Sequence, residues 1–370
     1  MDGDVMKRVQ TILLGLVLLT MLPLMAHATA PQSSIEQAFI GCKTSYPEPS
    51  QAEERLTCFD NIQVSAEIVA AHTTVSTTEY GDDCVNGAGK PCRYLDRKWR
   101  LNSHESKDWT DLETHRLNYL TVTHTSTPNQ RPKSHSTSDT ESRGLDDNDL
   151  NFQISFKTEL LRSIPWVRDF PRVETSRIWA AYTQQSYWQV FDSGESRPMR
   201  EHNFAPELIL SLGLDNKLDG VRQPFLPRMA NIGLIHESNG RSLPISRSWN
   251  RLYVESAWEL SENLTMSVRP WWRIPEGQSK DDNPDISRYL GYGDVRFHWD
   301  SIDSSFAANL LLRNNFRHDN KGFAKLDLQF QPLERDNVKL HLMLSDGYGE
   351  SLIDYNHSQT VFGLGLSIGE

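Results

Sequence analysis

The stretch that decides the fold is SQTVFGLGLSI, residues 358–368. Large apolar residues alternate in it with small or polar ones. The apolar positions are Phe362, Leu364, Leu366 and Ile368. Successive side chains of a β-strand point to opposite faces, so one face of this strand is apolar and the other, with Gly363, Gly365 and Ser367, is small and polar. That pattern is typical of a membrane-spanning barrel strand whose apolar face contacts lipid.

Segments with the same period-two alternation, separated by turn residues, recur from Leu117 onward. Twelve are predicted, at about 115–126, 150–161, 176–191, 202–214, 227–238, 247–260, 263–275, 286–300, 303–315, 321–331, 336–348 and 358–368. The number is even, as a closed barrel with both ends in the periplasm requires. We therefore expect an all-β chain in which residues 111–370 form a 12-stranded antiparallel transmembrane β-barrel, with a soluble β-sandwich as the alternative.

The lengths of the connections agree with this topology. From a periplasmic N-terminus, the connections after odd-numbered strands lie outside the cell, and the longer ones fall there, at 127–149, 192–201, 239–248 and 276–285. Short connections follow even-numbered strands, at 261–262 and 301–302. Residues in the longer connections are therefore expected at the outer rim of the barrel.

The chain begins with a predicted signal peptide over residues 1–30. Two basic residues, Lys7 and Arg8, precede an apolar run over 12–25, and small residues follow it. This run is too short and wrongly flanked for a stable membrane helix, and its order of regions is that of an export signal. No other apolar run approaches the ~20 residues of a spanning helix, so we expect export and no helical membrane span.

Residues 31–110 form a polar N-terminal region, expected in the periplasm, that carries the four cysteines Cys42, Cys58, Cys84 and Cys92. An exported chain meets an oxidising compartment, so two disulfides are expected. Local pairing, of the first cysteine with the second and the third with the fourth, is the simplest of three connectivities. A metal site is less favoured, because the spacings lack a C-x-x-C pair.

The net charge of the chain is −11, and the charges of the signal segment cancel, so the exported part is equally acidic. Binding to nucleic acid needs a basic stripe that contacts phosphates, and none is visible in the sequence. We therefore expect no nucleic-acid partner.

A second informative run is HESNGRSLPISRSWN, residues 236–250. His236 and Ser238 are two residues apart, on the same face of the fifth predicted strand as the apolar residues before them. Asn250 shares its face of the sixth strand with apolar residues as well. All three side chains are therefore expected on the exterior of the barrel near its upper edge. A pore would keep its functional polar groups in the lumen, whereas an enzyme that acts on membrane lipids needs them outside.

These residue types suit nucleophilic catalysis. We expect Ser238 to attack an ester carbonyl, His236 to take its proton and return it to the leaving alcohol, and Asn250 to hold the imidazole in the required tautomer. Asparagine lacks the charge of aspartate, so another group must help to stabilise the oxyanion.

The run resembles the signature of the outer-membrane phospholipase A family of Gram-negative bacteria, His-x-Ser-Asn-Gly-Arg-Ser followed by Ser-Arg-Ser-Trp-Asn. The resemblance extends with gaps from about residue 115 to residue 368, through YTQQSYWQ at 182–189, DDNPDISRYLGYG at 281–293 and DGYGESLIDYN at 346–356. It implies a calcium-dependent enzyme of the outer membrane that hydrolyses acyl esters of phospholipids at the A1 and A2 positions, and lysophospholipids, and that is active as a homodimer.

The resemblance also implies roles for individual residues. The backbone N–H of Gly240 would assist the oxyanion. Calcium would be held by the Arg241 carbonyl and the Ser246 hydroxyl, with Ser196 of the partner subunit. Oxygen ligands of this kind suit a hard cation.

For two further residues, Asp282 and Gln184, the sequence leaves two interpretations open. Asp282 matches an acidic position of a second calcium site in the family, but its partner position is Leu243 here, and the loop at 281–285 could equally be a solvated turn. Gln184 is expected among lipid-facing groups, where an unpaired amide is costly. It matches a position that the family uses at its dimer interface. The alternative is a glutamine near the lipid headgroups.

The function expected from the resemblance is therefore that of a phospholipase. The alternative is a non-catalytic outer-membrane barrel, a pore or scaffold, that retains the motif. A soluble α/β-hydrolase is disfavoured because the sequence contains no G-x-S-x-G elbow.

Overall fold

The structure, a computed structural model, describes residues 93–102, 110–135, 142–192, 197–277, 279–301, 304–331 and 338–368. Most of this part of the chain is β-strand. The predicted signal peptide, all four cysteines and Ser196 lie outside the described residues. What the sequence predicts for them stays a prediction.

Twelve long strands are described, and they are numbered here in chain order. They are β1 Asn118–Thr125, β2 Asn148–Arg162, β3 Val173–Trp188, β4 Met199–Leu214, β5 Met229–Ser238, β6 Ser248–Glu259, β7 Leu264–Ile274, β8 Gly293–Asp300, β9 Phe306–Asn314, β10 Gly322–Phe330, β11 Val338–Tyr348 and β12 Ser358–Ile368. Two-residue strands also occur at Glu113–Thr114, Lys217–Leu218 and Val221–Arg222.

Each long strand pairs antiparallel with the next one along the chain. Strand β12 also pairs with β1, from Val361 opposite Thr125 to Ile368 opposite Asn118, and this pairing closes the ring. The predicted 12-stranded barrel is confirmed. The β-sandwich alternative is wrong, because a sandwich has edge strands and a closed ring has none.

Three short helices lie among the described residues: α1 Tyr94–Trp99, α2 Pro165–Arg168 and α3 Ile286–Leu290. Helix α3 corrects the prediction that the eighth strand begins near residue 286, because β8 begins at Gly293. The physical reason is a spacing of four between Ile286 and Leu290, which puts both on one face of a helix, and both are buried. None of the helices in the described ranges has the length and apolar character needed to span a membrane.

Alternation along the strands sets the two faces of the barrel. Apolar side chains at every second position point outward and are exposed, as with Ile232 and Leu234 of β5 and with Leu364 and Leu366 of β12. The positions between them point inward and are mostly buried. A band of exposed apolar side chains on a closed barrel is the lipid-facing surface of a transmembrane barrel.

The interior is lined by charged side chains that pair with one another. Arg200 donates to Asp149 (2.9 Å) and to Asp354 (2.8 Å). Arg269 donates to Asp294 (2.7 Å). All five side chains are buried, and each ion pair offsets part of the cost of removing its charges from water. The charged side chains in the lumen are therefore packed and hydrogen-bonded to one another.

Helix α1 packs at the end of the barrel where β5 begins. Trp99 packs edge-on against Trp179, in a buried cluster that includes Met229, the first residue of β5. Asp96 of the helix accepts a hydrogen bond from the buried Arg228 (3.0 Å). The other end of β5 carries the predicted site residues, so α1 and the candidate site lie at opposite ends of the barrel.

Candidate active site

The β5–β6 hairpin brings two of the predicted site residues together. His236 lies directly opposite Asn250 in the register of the two strands. Its Nδ1 atom is 2.9 Å from Oδ1 of Asn250. An amide oxygen only accepts, so Nδ1 donates and Nε2 keeps its lone pair. The imidazole therefore has the tautomer that a general base needs on its outer nitrogen.

Ser238 is the last residue of β5 and lies two residues beyond His236 on the same outward face. Its neighbours across the sheet are Ser248 on β6 and Phe204 on β4. The side chain of His236 is exposed and that of Ser238 is half-buried. The three residues that the sequence singles out thus lie on the outer wall, at the edge of the apolar band.

The loop that follows Ser238, residues 239–247, is organised by Asn239. The Oδ1 atom of Asn239 accepts from the backbone N–H of Arg247 (2.9 Å) and of Arg241 (3.3 Å). The Nδ2 atom donates to the carbonyl of Ile245 (2.8 Å). Because Asn239 is buried, these hydrogen bonds are shielded from competing water. The loop is therefore held in one shape from within.

Gly240, whose N–H the resemblance assigns to the oxyanion, lies at a position that favours glycine. Its φ of +62° lies in the left-handed region that favours glycine. A Cβ atom added there would lie 3.1 Å from the ring of Phe204. Backbone conformation and a neighbouring ring therefore both favour glycine two residues after Ser238.

Two of the predicted calcium ligands meet in the structure. The hydroxyl of Ser246 donates to a carboxylate oxygen of Asp282, although the resemblance assigns them to separate sites. Arg241, whose carbonyl is the third predicted donor in this protomer, is anchored by its guanidinium to the carbonyls of Met199 (2.9 Å) and Arg200 (3.1 Å). Hydroxyl, carboxylate and carbonyl oxygens are donors that suit calcium.

The three predicted donors of this protomer are fewer than such an ion takes. Calcium usually takes six to eight oxygen ligands. Among the residues that the structure describes, no group of three or more His, Cys, Asp or Glu side chains could hold a metal ion. Any calcium bound beside Ser246 and Asp282 therefore needs further donors, such as backbone carbonyls, water or a second chain.

The acidic loop at 281–285 packs against the site. Asn283 is fully buried, and its Oδ1 atom accepts from the backbone N–H of Ser248, the first residue of β6 (2.9 Å). Arg273 of β7 pairs with Asp281 (2.7 Å). The central residue of the loop is therefore buried under the end of the β5–β6 hairpin, whereas Pro284 is exposed and the three aspartates are partly buried. Leu243, by contrast, is exposed.

Gln184 lies on the outward face of β3, within a row of hydrogen bonds. The Tyr182 hydroxyl donates to Oε1 of Gln184 (3.1 Å), and Nε2 of Gln184 donates to Oγ of Ser186 (3.2 Å). That Oγ atom is 2.9 Å from Nδ1 of His202 on β4. The sequence prediction did not single out Ser186 or His202. Pairing within the row lowers the cost of polar groups in an apolar wall.

Glu276 is a further residue of the site that the sequence prediction missed. The Nδ2 atom of Asn250 donates to Oε1 of Glu276 (2.8 Å), so Asn250 connects His236 to a carboxylate. Ile274, the last residue of β7, lies opposite Asn250. Glu276 follows two residues later, where its side chain contacts the Asn250 amide. The sequence shows an acidic residue just after the seventh strand, but its contact with Asn250 depends on the register of β6 and β7.

Comparisons with known proteins point to one family. A family model described as Phospholipase A1 matches residues 95–368. Phospholipase A1 from Escherichia coli (strain K12) is 36% identical over 222 residues, which cover 60% of this chain and 70% of that protein. Phospholipase A1 from Salmonella typhimurium is 36% identical over 253 residues, which cover 68% of this chain and 80% of that protein.

Two solved structures are similar over most of their length. Outer membrane phospholipase A from Escherichia coli has 33% sequence identity and a TM-score of 0.59, covering 70% of this chain and 98% of that chain. The Salmonella typhi outer membrane phospholipase, solved as a dimer with bound calcium, has 32% identity and a TM-score of 0.61, covering 74% of this chain and 97% of that chain.

Proposed function

This chain belongs to the phospholipase A1 family, and from that membership we propose that it is a calcium-dependent phospholipase of a Gram-negative outer membrane. It hydrolyses acyl esters of glycerophospholipids at the A1 and A2 positions, and lysophospholipids. Residues 1–30 direct its export, and residues 31–110 form a periplasmic region ahead of the barrel. The observation that carries the proposal is the 2.9 Å hydrogen bond between His236 and Asn250 on the lipid-facing wall.

The chemistry that these side chains support is acyl transfer through serine. The Ser238 oxygen attacks the ester carbonyl carbon while Nε2 of His236 takes its proton. The carbonyl electron pair moves onto the oxygen, where the N–H of Gly240 stabilises the charge. The bond to the glycerol oxygen then breaks, and that oxygen takes the proton from His236. Water attacks the acyl-serine by the same route, which releases the fatty acid and restores Ser238.

The position of the site suits an insoluble substrate. A phospholipid in the membrane presents its ester groups where the acyl chains meet the headgroups. We place Ser238 at the corresponding level, because it ends a strand whose outward residues Ile232 and Leu234 are exposed and apolar. The acyl chains can therefore stay beside the apolar wall while an ester reaches the nucleophile.

The calcium site that we propose uses oxygen atoms of Ser246 and Arg241, with Ser196 of the partner subunit, and Asp282, which the resemblance assigns to a second calcium site, lies beside it. The contact between the Ser246 hydroxyl and the Asp282 carboxylate supports it, because two suitable donors already meet. When bound, calcium supplies positive charge that favours the oxyanion. The hydrogen bonds of Asn239 hold the loop that carries two of these donors.

We propose that the active form is a homodimer. The donors that we assign in one protomer are fewer than calcium takes, and a second chain can add Ser196. The hydrogen-bonded row on the outer wall, which includes Gln184, supports it as well, because polar groups in lipid associate with polar groups of another barrel.

A pore or scaffold that retains the motif is the competing function. The paired charges in the lumen and the packing of α1 at one end argue against a pore. Release of fatty acid from phospholipid vesicles, with and without a calcium chelator, separates an enzyme from a scaffold. We expect release by the wild-type protein only when calcium is present. A folded wild-type protein that releases no fatty acid with calcium would rule out the proposed function.

A further inference from the structure

The side-chain amide of Asn250 is hydrogen-bonded on both sides, to the imidazole of His236 and to the carboxylate of Glu276. We infer that Glu276 is a positioning residue, which acts through Asn250 to orient His236 and to supply the negative charge that asparagine lacks. The inference rests on the proposed function, because it concerns the same triad.

The first part of the argument is orientation. An asparagine amide has an acceptor oxygen and a donor nitrogen, and it can rotate to exchange them. An ionised carboxylate only accepts, so Glu276 holds the amide nitrogen of Asn250 on its own side. The amide oxygen must then face His236, where it keeps the proton on Nδ1. A rotated amide would donate to Nδ1 and leave the proton on the nitrogen that has to act as the base.

The second part is charge. As Ser238 attacks, His236 becomes an imidazolium, and a neutral amide stabilises that charge only weakly. A carboxylate on the far side of the amide polarises it and makes Oδ1 a stronger acceptor. No proton moves to Glu276 in this scheme. Asn250 and Glu276 together take the place of the aspartate found in the commoner triad.

The groups around Glu276 act in opposite directions on its pKa. Glu276 is half-buried at the outer rim, and Arg273, the base nearest along the chain, is paired with Asp281. Burial raises the pKa of Glu276, and the charges of Asp281 and Asp282 act in the same direction. The hydrogen bond from Asn250 and the charge of Arg273 oppose this shift.

The test compares Glu276→Gln with wild-type protein in phospholipid–detergent micelles at saturating calcium. Glutamine keeps the size and an acceptor oxygen but removes the charge. We expect kcat to fall about 10-fold, which corresponds to exchanging one charge-assisted hydrogen bond for a neutral one, with KM and the half-saturating calcium concentration unchanged. Glu262→Gln is the matched control, because Glu262 is an exposed acid in the turn between β6 and β7, at the opposite end of the barrel.

Two further readouts distinguish positioning from a structural role. In the Asn250→Ala background, Glu276→Gln should cost less than twofold, since the connection to His236 is already broken. The acid side of the pH profile should also change. As pH falls through the raised pKa of Glu276, the wild-type enzyme loses the carboxylate, so its kcat falls more steeply than that of Glu276→Gln. Glu276→Asp should recover part of the activity if the charge matters.

Several outcomes would overturn the inference. It is wrong if Glu276→Gln and Glu276→Ala both keep the wild-type kcat. An undiminished effect of Glu276→Gln in the Asn250→Ala background would mean that Glu276 acts elsewhere. A shift in calcium dependence with no change in kcat at saturation would make Glu276 a calcium ligand instead. If the folded wild-type protein has no activity, the proposed function itself is wrong. Results on the Glu276 variants alone cannot lead to that conclusion.

Discussion

Asn239 and Arg247 close the loop behind Ser238 by two hydrogen bonds between the same pair of residues. The backbone N–H of Asn239 donates to the Arg247 carbonyl (3.0 Å), and the backbone N–H of Arg247 donates to Oδ1 of Asn239 (2.9 Å). The residues between them include Gly240 and Ser246, to which we assign oxyanion and calcium contacts. The closure therefore fixes groups that have to meet the reacting ester.

Asn239→Ala should consequently impair catalysis more than folding. It removes three side-chain hydrogen bonds of a buried residue, and leaving such partners unpaired costs about 1–3 kcal/mol. We expect kcat to fall about 10-fold or more. Asn263→Ala, in a turn at the other end of the barrel, is the control, because it also removes a side-chain hydrogen bond. Equal activity of the two variants would show that the loop needs no such closure.

Ser238→Ala should abolish hydrolysis and leave the barrel folded, because the hydroxyl lies on the outer wall and supports no core. The measurements are fatty-acid release and the heat-modifiable electrophoretic migration that reports a folded barrel. Ser256→Ala, on the outward face of β6, should remain active. Hydrolysis by folded Ser238→Ala at the wild-type rate would remove Ser238 as the nucleophile.

His236→Ala should reduce kcat more than Asn250→Ala does. Loss of the imidazole removes the base, whereas loss of a neutral amide removes only an orienting contact. Steady-state kinetics of the two variants at one pH and saturating calcium provide the comparison. Equal losses would mean that Asn250 does more than orient the imidazole.

Gly240→Ala should lower kcat while substrate affinity changes little. The added methyl group meets an unfavourable φ of +62° and the ring of Phe204 at 3.1 Å, so the N–H that we assign to the oxyanion moves. We expect a loss of about 10-fold or more. Gly220→Ala is the control for backbone strain alone, because Gly220 has a φ of +79° with nothing within 4 Å of the added Cβ. Similar losses in both variants would count against the oxyanion assignment.

Activity should need calcium and a dimer together. Hydrolysis measured against protein concentration in detergent micelles, with calcium saturating, should follow the fraction of cross-linked dimer. Ser246→Ala should raise the calcium concentration needed for half-maximal activity, and Ser242→Ala, an exposed serine of the same loop, should not. Full specific activity where only monomer is detected would mean that Ser196 of the partner subunit takes no part in the calcium site.

The eighth strand shows where local pattern misleads. Residues 286–290 belong to the helix α3, although the sequence prediction placed them in a strand. Ile286 and Leu290 are both buried, and they are four residues apart, as on one face of a helix. A search for period-two alternation does not detect that spacing. The other eleven strands followed from alternation alone, because each strand has one apolar and one polar face.

The sequence by itself determined the barrel, its number of strands and the outward position of His236, Ser238 and Asn250. The reason is that the period of two along a strand is a local property, and each segment reports which of its faces meets lipid. Tertiary structure alone decided which side chains meet across the ends of different strands. The contact of Asn250 with Glu276, and that of Ser246 with Asp282, depend on the register of neighbouring strands and on the path of the loops between them. Each of these two contacts joins residues that are far apart in the chain, so no local sequence pattern predicts it.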